Sequence, residues 1–213
     1  MRRNTRETPT STDRAQAYTL EGFIAAFILL IAVLFAVQSV VITPSSGGAV
    51  DRTAQAQQQQ QVQDALIIAQ REHDLSRTVR YVDLNSSDGF EEFHNHSSGV
   101  QGVYSTAAFE NVSTLGAILN QHLDAGQSYN VELHYENESG EAASPIKLVN
   151  QGPPSSTAVT ASYTVVLHDD QNLTSPDYED RTLGEIEGTA GYIPDIDDDG
   201  GLYNVVEVRV VVW

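Results

Sequence analysis

Hydrophobic and polar positions divide the chain into three stretches of different character. Residues 1–15 are polar and Arg-bearing, with Thr, Ser and Pro that disfavour regular structure. Residues 22–42 are 21 positions without a charge, interrupted only by Gln38 and Ser39. At ~1.5 Å of rise per residue, that run makes a helix of roughly 31 Å, the thickness of a bilayer's hydrocarbon core. Beyond residue 50 apolar positions recur with helical or two-residue spacing, which is the signature of a folded head.

The pattern predicts the elements of that head. Residues 43–50, with Thr43, Pro44, Ser45, Ser46, Gly47 and Gly48, have linker chemistry and argue against one unbroken helix. Residues 51–71 hold no Gly or Pro, and Val62, Ala65, Leu66 and Ala69 form one helical stripe. The run Gln57–Gln61 falls inside this helix and reads as a solvated surface. Asp74 is placed to cap a short helix over 75–82, with Leu75, Val79 and Val82 inward. Residues 91–102 read as loop, and Leu115, Ile118, Leu119 and Leu123 predict a helix over 114–125. Tyr129, Val131, Leu133 and Tyr135 then alternate as a strand. Strands over 146–150, 158–168 and 202–213 follow, with an acidic loop over 169–201 between the last two. In the final strand Val206, Val208, Val210 and Val212 share a face, while Val205, Val211 and Trp213 on the other suggest a central strand partly covered on both sides. The expected fold is α+β: an N-terminal transmembrane or stalk helix, then helices packed on an antiparallel β-sheet. The domains are a leader (1–15), the membrane helix (16–42), the linker (43–50) and an extracellular acidic head (51–213).

Charge fixes the direction of that arrangement. Residues 1–50 carry four Arg (Arg2, Arg3, Arg6, Arg14) against Glu7, Asp13 and Glu21, a net +1. With −18 for the whole chain, residues 51–213 carry −19. Arginine before the span and acid after it place the N-terminus in the cytoplasm and the head outside a cell membrane crossed once. So acidic a head repels nucleic acid and anionic lipid, so no nucleic-acid partner is expected. Lys147 is the sole lysine. Abundant acid with scarce lysine fits a halophilic surface, where ~1 M salt screens repulsion beyond about 3 Å; an ordinary acidic exported domain has the same composition. The chain has no cysteine, which excludes disulfides, thiolate metal sites and cysteine nucleophiles.

Three fates of the leader follow from the sequence. The apolar run is too long for a secretory signal peptide cut after it, although Ser46, Gly47 and Gly48 offer small residues there. A permanent single-pass anchor needs no processing. A third fate is cleavage before the helix. Arg14-Ala15-Gln16 resembles the class III signal peptide of archaeal prepilins and archaellins, and Tyr18-Thr19-Leu20-Glu21 resembles the start of mature bacterial pilins. The whole stretch Arg14–Phe23, with the terminal Leu202–Trp213, looks like exported type IV pilin-like proteins of salt-loving archaea. The resemblance implies a prepilin peptidase cutting between Ala15 and Gln16. It also implies assembly with other pilin-like subunits into a type IV pilus-like filament, as a major or minor pilin. In it, Glu21 would neutralise a neighbouring subunit's amine. Glu21 would then be mature position six, where bacterial pilins have their acid at five; a cut after Gln16 restores five. Independently of any family, a carboxylate at the edge of an apolar span either pairs, snorkels, or sits in the first turn favoured by the helix dipole.

Other candidate sites are sparse. Asn85, Asn95, Asn111, Asn137 and Asn172 open Asn-x-Ser/Thr sequons, none with Pro at x, so the head is a candidate glycoprotein. His94 and His96 lack a third ligand at a convincing spacing and read as surface loop residues. Asp195, Asp197 and Asp199 before Gly200 begin like a calcium loop, but the twelfth position holds Val206 rather than Glu, so an acidic turn is the plainer reading and calcium the one cofactor considered. There is no Gly-x-Ser-x-Gly, phosphate-binding Gly loop or His-Glu-x-x-His, and the expectation is a structural protein rather than an enzyme. The alternative is a stand-alone anchored protein whose head binds an envelope component.

Overall fold

The computed structural model describes residues 11–38, 45–84, 92–96, 103–123, 126–186, 192–197 and 200–213. The fold is α+β. The chain divides into two compact units, Met1–Ala49 and Val50–Trp213.

The first unit is built on α1 (Ser11–Gln38). This helix takes in the last five residues of the leader, where the Ser, Thr and Pro content suggested irregular chain. The other helix at this end, α2 (Ser45–Arg71), begins inside the expected linker. A proline directly before a helix is compatible with a start there, because it lacks only a donor the first turn leaves unused. Residues 39–44 are outside those described.

In the second unit a four-stranded antiparallel sheet has the order β4 (Ile146–Val149), β3 (Tyr129–His134), β6 (Leu202–Val212), β5 (Val159–His168). β6 is central, as its valines on both faces suggested. It pairs Val210 with Val131 on one side and with Ala161 on the other. Strand alternation puts Val206, Val208, Val210 and Val212, Val131 and Leu133, and Val165 and Leu167 on one buried face. The opposite face is only partly covered: Val166 and Val205, directly paired, are 46% and 39% exposed.

Against the buried face pack α2, α3 (Asp74–Val79), α4 (Thr106–Val112) and α5 (Thr114–His122), with Val62, Leu66, Ala69, Leu75, Phe109 and Leu119 in a common core. The predicted α2 stripe is buried as its spacing required. α4 has no counterpart in the predicted elements. It fully buries only Phe109, with Ala108 and Val112 partly buried beside it, a stripe of one turn, and its start is fixed by Ser105, whose hydroxyl accepts from Ala108 N–H at 3.1 Å. Within the expected loop over 91–102, β2 (Glu92–Phe93) pairs with β1 (Val82–Asp83).

Two features of the head depart from the sequence reading for tertiary reasons. Asp74 does not cap its own helix: His73 is the N-cap, in a left-handed conformation (φ 59°). The Asp74 carboxylate is buried and instead accepts from Ser113 Oγ at 2.8 Å and from Leu115 N–H at 3.1 Å, capping α5 from a distance. The described part of 169–201 is irregular, as expected of a loop, but it is not all surface. Leu173, Leu183, Tyr192 and Ile193 are core residues there. It satisfies carbonyls at the end of α3: Thr174 Oγ1 donates to Arg77 O at 2.7 Å, Thr174 N–H to Arg80 O at 3.1 Å, and Tyr192 Oη to Val79 O at 3.0 Å.

The glutamine-rich helix also has a partner. Gln59 Nε2 donates to Thr160 O at 3.2 Å, Gln63 Nε2 to Ser162 O at 3.4 Å, and Gln55 Nε2 to Thr157 O at 3.3 Å. Four helical residues rise ~6 Å and two strand residues ~6.7 Å, so Gln59 and Gln63 meet the alternate carbonyls of Thr160 and Ser162, while Gln55 reaches Thr157 just before β5. β5 is an edge strand, and two of its carbonyls, those of Thr160 and Ser162, accept from side-chain amides.

Candidate functional site

The strongest functional candidate is α1. From Tyr18 to Phe35 every side chain is exposed, including twelve large apolar ones. This window is long and apolar enough to cross a membrane. Burying a side chain of this kind is worth about 1.5–3 kcal/mol, so on the order of 20 kcal/mol is unrealised in water. That exceeds the roughly 5–15 kcal/mol net stability of a whole domain. Glu21 is the single charge in the window, one turn from Ile24 and Ala25, and it has no ion pair among the described residues. Arg14, Ala15 and Gln16 lie within the same helix, with no break at the junction.

The head's ionisable groups are arranged chiefly for structure. On the open sheet face the Ser162 hydroxyl holds Glu207 below the usual carboxylate range, against the opposing effect of burial; Arg209, 2.7 Å away, adds to the lowering. Beside them His134 Nε2 stands 3.1 Å from Glu132. Burial, then the charges of Asp195, Asp170 and Asp197, push the Asp169 carboxyl up. Burial pushes the Tyr129 hydroxyl up to about 12 and drives Tyr104 and Tyr192 further in the same direction.

The candidate metal residues do not converge. His94 lies in the turn just after β2, as a loop reading has it, but it is half-buried rather than solvent-facing. Its side chain is 16% exposed, packs edge-on against Tyr81 and has Nδ1 3.6 Å from Asp83 Oδ2, because β2 turns it inward against β1. His96 lies just beyond, half-buried. Asp195 is mostly buried, and its Oδ1 closes a local turn by accepting from Asp197 N–H at 2.8 Å. Asp199 is outside the described residues. Among the described residues no group of three or more His, Asp or Glu is placed to hold a metal ion.

The sequons differ sharply in setting. Asn111 is on α4 with Nδ2 donating to Ala107 O at 2.8 Å, and its sequon hydroxyl, Ser113, is buried against Asp74. Asn172 Nδ2 donates to Glu179 O at 2.7 Å, and its Thr174 is bound to α3. Asn95, in a left-handed turn (φ 58°), reaches Tyr81 Oη at 3.4 Å. With Arg77, Tyr81 and Asn111 it lines a cleft of ≈ 330 Å³. Asn137 lies in the β3–β4 connection, and Asn85 is outside the described residues.

Over residues 14–212 the chain matches the model of a family of unknown function, DUF7288. It belongs to that family. No curated protein and no solved structure matches. The DUF7288 match takes in the exposed apolar helix together with the whole sheet of the head, so the two units are both part of what defines the family.

Sequence reasoning located α1 but missed the roles of Asp74 and of the glutamines at 55, 59 and 63. The i, i+4 spacing of those glutamines was a visible signal; the strand carbonyls that give it meaning were not.

Proposed function

We propose that this chain is a membrane-inserted surface structural protein, a pilin-like subunit of a type IV-like filament. The observation that carries the reading is the uncovered apolar helix, Tyr18–Phe35, joined in one family to an acidic head with its own core. Such a helix needs an apolar medium. A bilayer supplies one before assembly, and a bundle of like helices supplies one afterwards. The four arginines before the span favour a cytoplasmic N-terminus and an external head. In this reading a prepilin peptidase removes the leader at Ala15–Gln16, and Glu21 pairs with the freed amine of a neighbour while the chain moves from lipid to filament.

Two observations favour a second reading, a permanent single-pass anchor whose head engages an envelope component. α1 is continuous through Arg14–Gln16, and Glu21 is one place out of the pilin register for a cut before Gln16. Intact mass and N-terminal sequencing of the native protein decide between them. A chain beginning at Gln16 or Ala17, recovered with sheared surface filaments, is the expected result. A chain retaining Met1 or Arg2, found only in the membrane fraction, would establish the anchor instead.

A further inference from the structure

Of the three sequons described in full, Asn111, Asn137 and Asn172, one combines an unengaged amide nitrogen with an unengaged hydroxyl. Asn137 begins the exposed tip of the β3–β4 connection, where Glu138, Ser139, Gly140 and Glu141 are all exposed. Its side-chain oxygen accepts from Ser139 N–H at 3.0 Å and from Glu141 N–H at 2.9 Å. The backbone closes beneath it: Gly140 N–H donates to Asn137 O at 2.8 Å, and Asn137 N–H to Glu141 O at 2.8 Å. Gly140 takes the left-handed conformation (φ 72°) that this return requires.

This Asx turn uses the amide oxygen and leaves Nδ2 and the Ser139 hydroxyl without a partner among the described residues. It also turns Asn137 and Ser139 around one tight loop. At Asn111 and Asn172 both atoms that matter are in use: freeing the Ser113 hydroxyl strips a bond from buried Asp74, and freeing the Thr174 hydroxyl gives up its bond to Arg77 O on α3.

We infer that Asn137 is an acceptor for an N-linked oligosaccharide on the folded head, and that Asn111 and Asn172 are not. In the transfer Nδ2 gives up one proton to the transferase's base and bonds to the anomeric carbon of a lipid-phosphate-linked sugar. The bond from that carbon to the phosphate oxygen breaks, and the lipid phosphate leaves with the electron pair. The inference rests on the external orientation of the head proposed above.

Peptide mapping by mass spectrometry of the full-length protein from its native cells tests it. A sugar mass increment is expected on the peptide holding Asn137 and none on those holding Asn111 or Asn172. Ser139→Ala should abolish the increment, and Ser139→Thr should keep it. Neither should move the head's thermal midpoint, because the turn uses the backbone N–H of residue 139. A bare Asn137, or an increment that survives Ser139→Ala, overturns the assignment, as does modification of Asn111 or Asn172. Glu138→Cys, the chain's sole cysteine, separates the causes of a bare Asn137. Labelling by a membrane-impermeant maleimide on intact cells would mean the head is outside and the acceptor assignment has failed. Labelling only after lysis would mean the orientation itself is wrong.

Discussion

α1 and α2 are helices of 28 and 27 residues with opposite relations to their surroundings. α1 is apolar around most of its described circumference and buries no side chain from Tyr18 to Phe35; α2 is mostly Gln, Ala and Asp, yet sinks one stripe completely into the head's core. Hydrophobicity alone therefore does not predict burial within a chain. An amphipathic stripe finds its partner in the same fold. A helix apolar on every side has more surface than one neighbour covers, which is why the proposed function gives it a medium or many copies of itself.

The largest expected effect that separates the two helices is a core truncation. Leu66→Ala on α2 should cost the head about 2–5 kcal/mol, read as a lowered midpoint in denaturant, while Leu29→Ala on α1 should leave that midpoint where it was. Equal effects of the two would erase the distinction. Next in size, Leu29→Lys places a charge at a position 67% exposed. In water that is nearly neutral, but at a bilayer centre it costs roughly 2.5–3.5 kcal/mol, so the variant should shift from the membrane fraction. Unchanged partitioning would remove the membrane from the account of α1.

Alkaline titration should act on the head alone. The Tyr129 hydroxyl is raised to about 12, so its proton is held in the folded state and lost in the unfolded one above the ordinary value of 10. Stability is then full below pH 10 and falls as pH climbs through 12, by about 2–3 kcal/mol for this group. Tyr104 and Tyr192 act in the same direction. Tyr129→Phe should flatten part of that fall, measured as unfolding free energy against pH. The smallest effect concerns the polar side of α2. Gln59→Ala with Gln63→Ala should cost roughly 0.5–1.5 kcal/mol and raise the tendency of the head to self-associate, seen by light scattering. A double variant that neither loses stability nor associates would make the glutamines simple surface.

What could be read in the sequence was what depends on local spacing. The length of 22–42, the α2 stripe and the alternation of Val206 to Val212 each name an element without reference to the rest of the chain. What could not be read depends on partners distant in sequence. Asp74 looks like a local cap until α5 is brought to it, and His94 looks solvated until Asp83 and Tyr81 are beside it. Leu173, Leu183 and Tyr192 show no period because an irregular segment, not a regular element, carries them into the core. For the sites, five sequons were visible as triplets. Which one has its amide and hydroxyl both unengaged is a property of turn geometry, and no triplet encodes it.

The two edges of the sheet are guarded by different chemistry. Short β4 has the chain's one lysine, Lys147, exposed, and Leu148 forms a bulge against β3. The longer edge, β5, relies on neutral amides from α2. A charged guard loses its reach as ions accumulate, but an amide donor on a carbonyl does not. The ten-residue edge, the longer of the two, thus keeps its protection at Thr160 and Ser162 in brine and in dilute buffer alike.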